Sequence, residues 1–246
     1  MPGKEELSVE LLAAGRMPER YQRNKGTIGV DGQIRLLRAK VAIVGAGGLG
    51  GTVIELLARL GIGCLRVIDG DTFAVHNLNR QLLSTEQNLG ENKAYAAAAR
   101  VALLNRDVRV EPVPYMLQAD NAEKLLQDVD VIVDALDNVS DRLLLNQTAR
   151  CYGIPLVYAA IAGFTGQVMT IMPGDQGLER IYKKPTASNK GVEVMLGNPA
   201  ATPALAASLQ VQEVVKILTG IGEPLRNKLL YFDTEINVFE ILTLAE

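Results

Sequence analysis

A glycine-rich motif near residue 45 is the first feature of this chain that could carry chemistry. Residues 45–50 read Gly-Ala-Gly-Gly-Leu-Gly, a Gly-x-Gly-x-x-Gly pattern between an apolar run and a helical pattern. Glycines at Gly45, Gly47 and Gly48 permit a tight turn whose backbone N–H groups can approach phosphate oxygens, and a helix N-terminus favours an anion. Asp69 ends the next apolar run, where a carboxylate can accept hydrogen bonds from ribose hydroxyls. The pattern predicts a nucleotide site.

Charged residues further along favour ATP over a dinucleotide. A triphosphate usually needs several cations and a metal ion. Arg80 and Lys93 follow the second apolar run, and a lysine at a helix start is disfavoured unless an anion lies nearby. Asp137 follows the fourth run, and Mg²⁺ binds through one or two carboxylates together with substrate phosphates. We expect Asp137 to be the magnesium ligand; the alternative is that it or Asp141 caps the following helix.

Strands alternating with helices must bring these residues to one edge of a sheet. Strands are predicted over 40–44, 64–68, 108–113, 129–133, 155–158, 167–172, 229–232 and 237–242. Helices are predicted over 52–60, 92–104, 121–126, 141–152 and 204–218. This alternation implies βαβ units. We therefore expect an α/β fold: a Rossmann-like, mostly parallel sheet with helices on both faces, extended by antiparallel C-terminal strands.

The chain is expected to form a helical arm and one domain. Residues 1–37 are polar and charged, and they predict an N-terminal helical arm outside the sheet. Residues 38–246 predict a single ATP-binding domain. Within it, residues 172–200 are rich in glycine and proline without a clear period, which predicts a long loop.

Composition excludes several classes of function. The 246 residues carry a net charge of −3, which argues against a nucleic-acid or polybasic membrane footprint. The two cysteines form no Cys-x-x-Cys pair and there is one histidine, so thiolate zinc and multi-histidine metal sites are not expected. No signal peptide or membrane-spanning stretch is evident, which favours the cytoplasm.

The ordered motifs resemble those of the MoeB/ThiF/HesA group of E1-like enzymes, in the ubiquitin-activating superfamily, over nearly the whole chain from Arg20. They are Arg20-Tyr-x-Arg23, Val44-Gly-x-Gly-Gly-Leu-Gly50, Asp69-x-Asp71, Asn77-Leu-Asn-Arg-Gln81, Gly90-x-Asn-Lys93, Asp134-x-x-Asp-Asn138, Gly163-x-x-Gly-Gln167 and Ser208-Leu-Gln-x-x-Glu-x-x-Lys216. Members of the group adenylate the C-terminal glycine carboxylate of a ubiquitin-like carrier. The resemblance therefore implies an ATP-dependent adenylyltransferase acting on a ThiS- or MoaD-like sulfur carrier ending in Gly-Gly, for thiamine or molybdenum or tungsten cofactor synthesis.

The resemblance also implies roles for individual residues. Asp69 would hold the ribose, and the glycine loop would hold phosphates. Asn77, Arg80 and Lys93 would also bind the phosphates, and Asp137 would hold Mg²⁺. Asp71, Gln81 and Asn138 belong to the matched motifs and are expected in the nucleotide site. In the family, the arginine matching Arg23 enters the neighbouring subunit's ATP site, which implies a homodimer with Arg23 acting in trans.

Two departures from the family pattern concern cysteines. Many relatives bind zinc through two Cys-x-x-Cys pairs, but the matching stretches, Leu178–Lys184 and Leu242–Glu246, contain no cysteine, so we expect no zinc. Many relatives also carry a loop cysteine, and Ser188–Val194 contains none. Since Cys64 and Cys151 lie in other elements, we expect the reaction to stop at the acyl-adenylate. Lysines in the loop, Lys183, Lys184 and Lys190, are expected to meet an acidic carrier surface.

Three other functions remain as alternatives. A tRNA-modifying enzyme of the TcdA type would share the motifs, but the acidic charge argues against it. A nicotinamide-dependent oxidoreductase would share the glycine loop, but no acid or base for hydride transfer is evident. A non-catalytic carrier-binding scaffold would explain the missing cysteines, but the presence of Arg80, Lys93 and Asp137 argues against it.

Overall fold

A computed structural model describes residues 4–182 and 193–244 of the chain. Their strands form one eight-stranded sheet in the order β3-β2-β1-β4-β5-β6-β7-β8. The strands are β1 (Lys40–Val44), β2 (Cys64–Ile68), β3 (Arg109–Val113), β4 (Val131–Asp134), β5 (Leu156–Ala162), β6 (Thr165–Ile171), β7 (Lys228–Asp233) and β8 (Val238–Thr243). Strands β1 to β5 pair in parallel, and the pairs from β5 to β8 are antiparallel.

Eight α-helices accompany these strands in the described residues. They are α1 (Lys4–Ala13), α2 (Lys25–Arg38), α3 (Gly48–Leu60), α4 (Lys93–Leu104), α5 (Ala122–Leu126), α6 (Val139–Tyr152), α7 (Glu193–Leu196) and α8 (Ala201–Thr219). Short 3-10 turns cover Glu19–Asn24, Val75–Asn77 and Gly177–Arg180. None of the described helices is long and apolar enough to cross a membrane.

Alternating side chains of the buried strands face two apolar layers. Val41 and Ile43 of β1 pack with α3, α4 and α8 on one face, and Ala42 and Val44 pack with α5 and α6 on the other. Strands covered on both faces are expected to be apolar throughout, as β1 is. The predicted α/β architecture, with helices on both faces and antiparallel C-terminal strands, is confirmed.

Most predicted bounds are one to three residues off, and two elements extend four residues beyond their predictions at one end. Helix α3 begins at Gly48, four residues before the predicted start, because the motif glycines form its first turn. Strand β5 continues to Ala162, since it forms a tight hairpin with β6 in which Ala162 pairs with Thr165.

The N-terminal segment packs on the sheet-bearing part of the chain through a buried polar cluster. Tyr21 is fully buried, and its hydroxyl accepts from Asn105 Nδ2 at 3.0 Å. The Asp107 carboxylate accepts from Ser8 Oγ at 2.8 Å and from the Tyr21 hydroxyl at 3.3 Å. Burial is the main reason that the pKa of Tyr21 rises to about 12. Helix α2 is broken at Gly29, where φ is 68°.

A charged cluster joins β1, β2 and β3 around Glu111. Its carboxylate contacts Lys40 Nζ at 3.0 Å, Arg66 Nε at 2.8 Å and Arg109 Nη1 at 2.5 Å. Burial alone would raise the pKa of Glu111, but hydrogen bonds from these three cations outweigh it and lower the pKa to about 2. A carboxyl with a depressed pKa stabilises the fold above its unfolded pKa and loses that contribution as the pH falls.

Glu111→Gln is therefore expected to lower the free energy of unfolding by about 1 kcal/mol at pH 7, since several partly buried cations lose their counter-charge. The difference from the wild type should shrink between about pH 4.5 and pH 2. Urea denaturation across this pH range measures it. Glu86→Gln, at an exposed site, serves as the control. A difference between Glu111→Gln and the wild type that stays constant with pH would contradict the prediction.

Candidate active site

A cavity of about 880 Å³ lies at the carboxyl ends of β1, β2 and β4. Strand order reverses between β1 and β4, which is where open α/β sheets bind ligands. All the predicted site residues except Arg23 and Asn77 line it: Gly45, Gly47, Gly48, Asp69, Asp71, Arg80, Gln81, Lys93, Asp137 and Asn138. The fold therefore brings together residues from five separate stretches of the chain.

The glycines of the motif divide into two kinds. Gly45 has φ of 97°, and a Cβ there would lie 2.5 Å from the Ala135 carbonyl oxygen. A Cβ at Gly50 would lie 1.8 Å from the Gly45 carbonyl oxygen, so both positions need glycine for close backbone packing. Gly47 and Gly48 instead face the cavity at the start of α3, and no side chain in the described residues caps that helix end. Its first N–H groups can donate to an anion.

Asp69 is buried at the end of β2 and supports the glycine loop. Its Oδ2 accepts from the Ala46 N–H at 2.7 Å, and its Oδ1 accepts from the Asp71 N–H at 2.8 Å. Burial raises the pKa of Asp69, with Lys93 and the two backbone donors acting in the opposite direction. Since each carboxylate oxygen has two lone pairs, Asp69 can still accept from a ligand hydroxyl.

Lys93 is presented to the cavity by its neighbours. Asn92 caps α4 by accepting from the Ala94 N–H at 3.0 Å, and its Nδ2 donates to the Asp71 carbonyl oxygen at 3.0 Å. Lys93 is itself buried, and its Nζ lies 3.1 Å from Asp71 Oδ2. The Asp71 carboxylate therefore holds a buried ammonium group at the cavity wall.

Arg80 lies beside the glycine loop. Its Nη1 donates to the His76 carbonyl oxygen and to Asn79 Oδ1, both at 2.9 Å. A Cβ at Gly48 would lie 3.6 Å from Arg80 Cγ. Arg80 and Lys93 thus approach the cavity as two cations, which suits an anionic ligand.

Asp137 carries an exposed carboxylate in the lining. The cap of α6 is Asn138, whose Oδ1 accepts from the Asp141 N–H at 2.9 Å, so the capping role falls to neither Asp137 nor Asp141. No group of three or more His, Cys, Asp or Glu that could hold a metal occurs within residues 4–182 and 193–244. A magnesium ion here would be coordinated by Asp137, phosphate oxygens and water. Mg²⁺ usually has only one or two carboxylate ligands from the protein, so this arrangement is sufficient.

Two predicted residues lie apart from the cavity lining. The Asn77 side chain is buried and its Oδ1 accepts from the Ala74 N–H at 2.9 Å. The Asn77 carbonyl oxygen accepts from the backbone N–H groups of Arg80 and Gln81, so Asn77 shapes the turn that carries them. Arg23 is exposed in the 19–24 turn, and its insertion into a neighbouring subunit stays a prediction.

Several lining residues were not predicted from the sequence. They are chiefly Tyr115, Met116, Arg142, Gln167, Tyr182, Asn198 and Tyr231. Gln81 Oε1 and Asn198 Oδ1 are buried without a hydrogen-bond partner in the described structure. Buried polar atoms are nearly always paired, so these two suit a bound ligand or water.

Asp134 and Arg142 are two further buried charges near the cavity. Burial raises the pKa of Asp134 to about 6, although the Arg142 charge and the Leu136 N–H lower it. Burial alone would lower the pKa of Arg142, but Asp134 and two nearby tyrosines outweigh it and raise the pKa.

The loop predicted over 172–200 is described except for residues 183–192. The predictions for Lys183, Lys184 and Lys190 fall on that gap and lie outside the described residues, as does the thiol-free stretch 188–194 apart from its last two residues. Of the two cysteines, Cys64 is buried and Cys151 is exposed near the end of α6.

The sequence matches a known protein family and two characterised proteins over most of its length. Residues 21–246 match the model of the ThiF family. The chain is 38% identical over 227 residues to the "SAMP-activating enzyme E1" of Haloferax volcanii, covering 90% of this chain and 83% of that one. It is 39% identical over 240 residues to the "Sulfur carrier protein adenylyltransferase" of Thermus thermophilus, covering 92% and 86%.

The fold also matches solved structures. E. coli MccB with MccA-N7isoASN aligns with a TM-score of 0.81 at 22% identity, over 93% of this chain and 73% of that one. E. coli MccB with ATP aligns with a TM-score of 0.79 at 23% identity, over 93% and 72%. At these identities the likeness shows the fold alone.

Proposed function

Since this chain belongs to the ThiF family and is an E1-like adenylyltransferase, we propose that it uses ATP to activate the C-terminal glycine carboxylate of a small ubiquitin-like sulfur carrier. The observation that carries the proposal is the meeting of Arg80, Lys93 and Asp137 with the glycine loop in one cavity. Two relatives of more than 35% identity support it: one is named a SAMP-activating enzyme E1 and the other a sulfur carrier protein adenylyltransferase.

The proposed reaction is a displacement at the α-phosphorus of ATP. A carboxylate oxygen of the carrier forms the new P–O bond, the bond from the α-phosphorus to the bridging oxygen breaks, and pyrophosphate leaves. The attacking carboxylate is already ionised at neutral pH, so no general base is needed. Catalysis then rests on positioning and on stabilising charge at the phosphates.

Each side chain has a place in this proposal. Asp69 accepts from the ribose, and the N–H groups at Gly47 and Gly48 donate to phosphate oxygens. Arg80 and Lys93 neutralise phosphate charge. Asp137 holds Mg²⁺, which when bound neutralises charge on the phosphates.

The proposal extends to assembly and pathway. We propose a cytoplasmic homodimer in which Arg23 completes the partner's ATP site. This would account for an arginine that is exposed and does not line the cavity of its own subunit. The carrier is ThiS- or MoaD-like, and the product serves sulfur transfer in thiamine or molybdenum or tungsten cofactor synthesis.

The test is exchange of labelled pyrophosphate into ATP with a ubiquitin-like carrier ending in Gly-Gly. Exchange should require the carrier and should fall by about a hundredfold in Arg80→Ala, because a cation beside the reacting phosphates is lost. Arg106→Ala, which removes an exposed arginine outside the cavity, is the matched control. Carrier binding without exchange would favour a scaffold, and binding of NADH without ATP would favour an oxidoreductase.

A further expectation concerns the fate of the adenylate. The stretch 188–194 contains no cysteine, and the exposed Cys151 lies near the far end of α6 from the cap at Asn138. We propose that the reaction stops at the acyl-adenylate. Incubation with carrier and Mg·ATP should give no thiol-sensitive adduct on non-reducing gels. An adduct that dithiothreitol removes, and that Cys151→Ser abolishes, would contradict this.

A further inference from the structure

The short loop between β4 and α6 is fixed on both sides of Asp137. On one side, Asn138 caps α6 and its Nδ2 donates to Asp141 Oδ2 at 2.7 Å. On the other side, the Leu136 peptide groups are both bound by charged side chains. The Leu136 N–H donates to Asp134 Oδ1 at 3.0 Å, and the Leu136 carbonyl oxygen accepts from Arg142 Nη2. Asp137 is the loop residue whose carboxylate is left exposed to the cavity.

The two side chains that hold Leu136 are buried. Asp134 is 0% exposed and Arg142 is 6% exposed. Arg142 also donates from Nη1 to the Ala159 carbonyl oxygen at 3.0 Å, and its Cζ lies 5.2 Å from the centre of the Tyr158 ring. The guanidinium therefore bridges the Leu136 carbonyl of the loop and the Ala159 carbonyl of β5. The planar arrangement of its N–H groups permits this geometry, which a lysine ammonium does not reproduce.

Stability alone does not account for this arrangement. Burying charges is costly, and apolar residues of similar size often stabilise a core as well or better. Leu136 lies at a cavity rim, where water could satisfy its peptide groups. What the buried pair adds is a single fixed path for the backbone next to Asp137.

We infer that Arg142, together with Asp134, is a positioning residue that orients the Asp137 carboxylate by holding the Leu136 peptide groups. This inference rests on the proposed function, because it takes Asp137 as the magnesium ligand. Replacing a residue that orients a metal ligand commonly lowers metal affinity or activity by about tenfold to a hundredfold.

The chain of contacts continues beyond the loop. The Tyr158 hydroxyl lies 2.7 Å from the Tyr182 hydroxyl and accepts from Gln167 Nε2 at 2.6 Å. Tyr182 and Gln167 both line the cavity. Arg142 therefore connects the Asp137 loop, through Tyr158, to two side chains that line the same cavity.

The test measures how strongly Mg²⁺ tightens binding of α,β-methylene-ATP, by calorimetry with and without the metal. In Arg142→Lys this tightening should fall by about tenfold, while metal-free binding of the nucleotide stays within about threefold. Pyrophosphate exchange should need correspondingly more Mg²⁺, with the KM for the carrier unchanged. The control is Arg150→Lys on the same helix, whose arginine pairs with Glu179 at 3.4 Å outside the cavity.

Two further variants decide the remaining outcomes. If Arg142→Lys does not fold, Arg142→Gln carries the same measurement; failure of both to fold would assign Arg142 to core stability and overturn the inference. Asp137→Ala is measured in parallel. If it leaves the effect of Mg²⁺ unchanged, the proposed metal role of Asp137 is wrong and this inference falls with it. If Asp137→Ala removes the effect and Arg142→Lys keeps it, only the positioning role is overturned.

Discussion

Replacement of Asp137 with alanine is expected to slow carrier-dependent pyrophosphate exchange by a factor of about 10² to 10³ at saturating Mg²⁺. The carboxylate is exposed in the cavity, and its neighbours on both sides are held by other groups. Without it, the metal would lose its protein anchor beside the phosphates. Exchange of labelled pyrophosphate into ATP, followed over a range of Mg²⁺ concentrations, measures the loss.

The sign of the binding effect separates this role from simple damage to the site. A carboxylate near a triphosphate is repulsive when no cation lies between them. Metal-free ATP should therefore bind Asp137→Ala at least as tightly as it binds the wild type, while Mg·ATP binds more weakly. Asp120→Ala, at an exposed site outside the cavity, is the control. Exchange within threefold of the wild type would show that Asp137 does not hold the metal.

Gly50→Ala is expected to lower the free energy of unfolding by about 3 kcal/mol, the cost of overpacking a tight site, and to abolish measurable ATP binding. The new Cβ would lie 1.8 Å from the Gly45 carbonyl oxygen and 2.7 Å from the Gly45 carbonyl carbon. Both are backbone atoms, so relief requires α3 to move away from the loop that it closes. Overpacking of this kind is destabilising, and the shift would displace the N–H groups at Gly47 and Gly48.

The adjacent position supplies a matched control. A Cβ at Gly51 would meet the Leu83 Cγ at 3.3 Å, a contact that a side chain can relieve. Alanine also has the higher helix propensity, so Gly51→Ala should retain ATP binding and near-wild-type stability. Urea denaturation and nucleotide titration compare the two variants. Equal behaviour of Gly50→Ala and Gly51→Ala would refute the packing argument.

Much of the sheet could be predicted because the local sequence pattern is enough to identify its strands. β1 and β2 have the predicted bounds, since each is a short, mainly apolar run with glycine nearby. The glycine loop, Asp69, Arg80, Lys93 and Asp137 were predictable for a related reason. The carboxyl ends of parallel strands share one edge, so residues that follow these strands converge there.

The rest of the site depends on contacts that no local pattern reveals. Arg142 lies in the first turn of α6, and its burial follows from its contacts with Ala159 and Tyr158 on β5. Gln167 and Tyr231 reach the cavity because β6 and β7 turn back antiparallel, and those pairings depend on the hairpin after Ala162. Asn77 has the residue type of a phosphate ligand, yet the 3-10 turn directs its amide to Ala74.

The buried cluster at Tyr21 has a practical consequence for anyone who trims or fuses this protein. The family match begins at residue 21, but the Asp107 carboxylate also takes a hydrogen bond from Ser8, and Leu12 is buried. A version cut at the start of the match would expose that pocket and remove one of its donors. Shortened variants should therefore keep α1, because Ser8 and Leu12 pack against the rest of the chain.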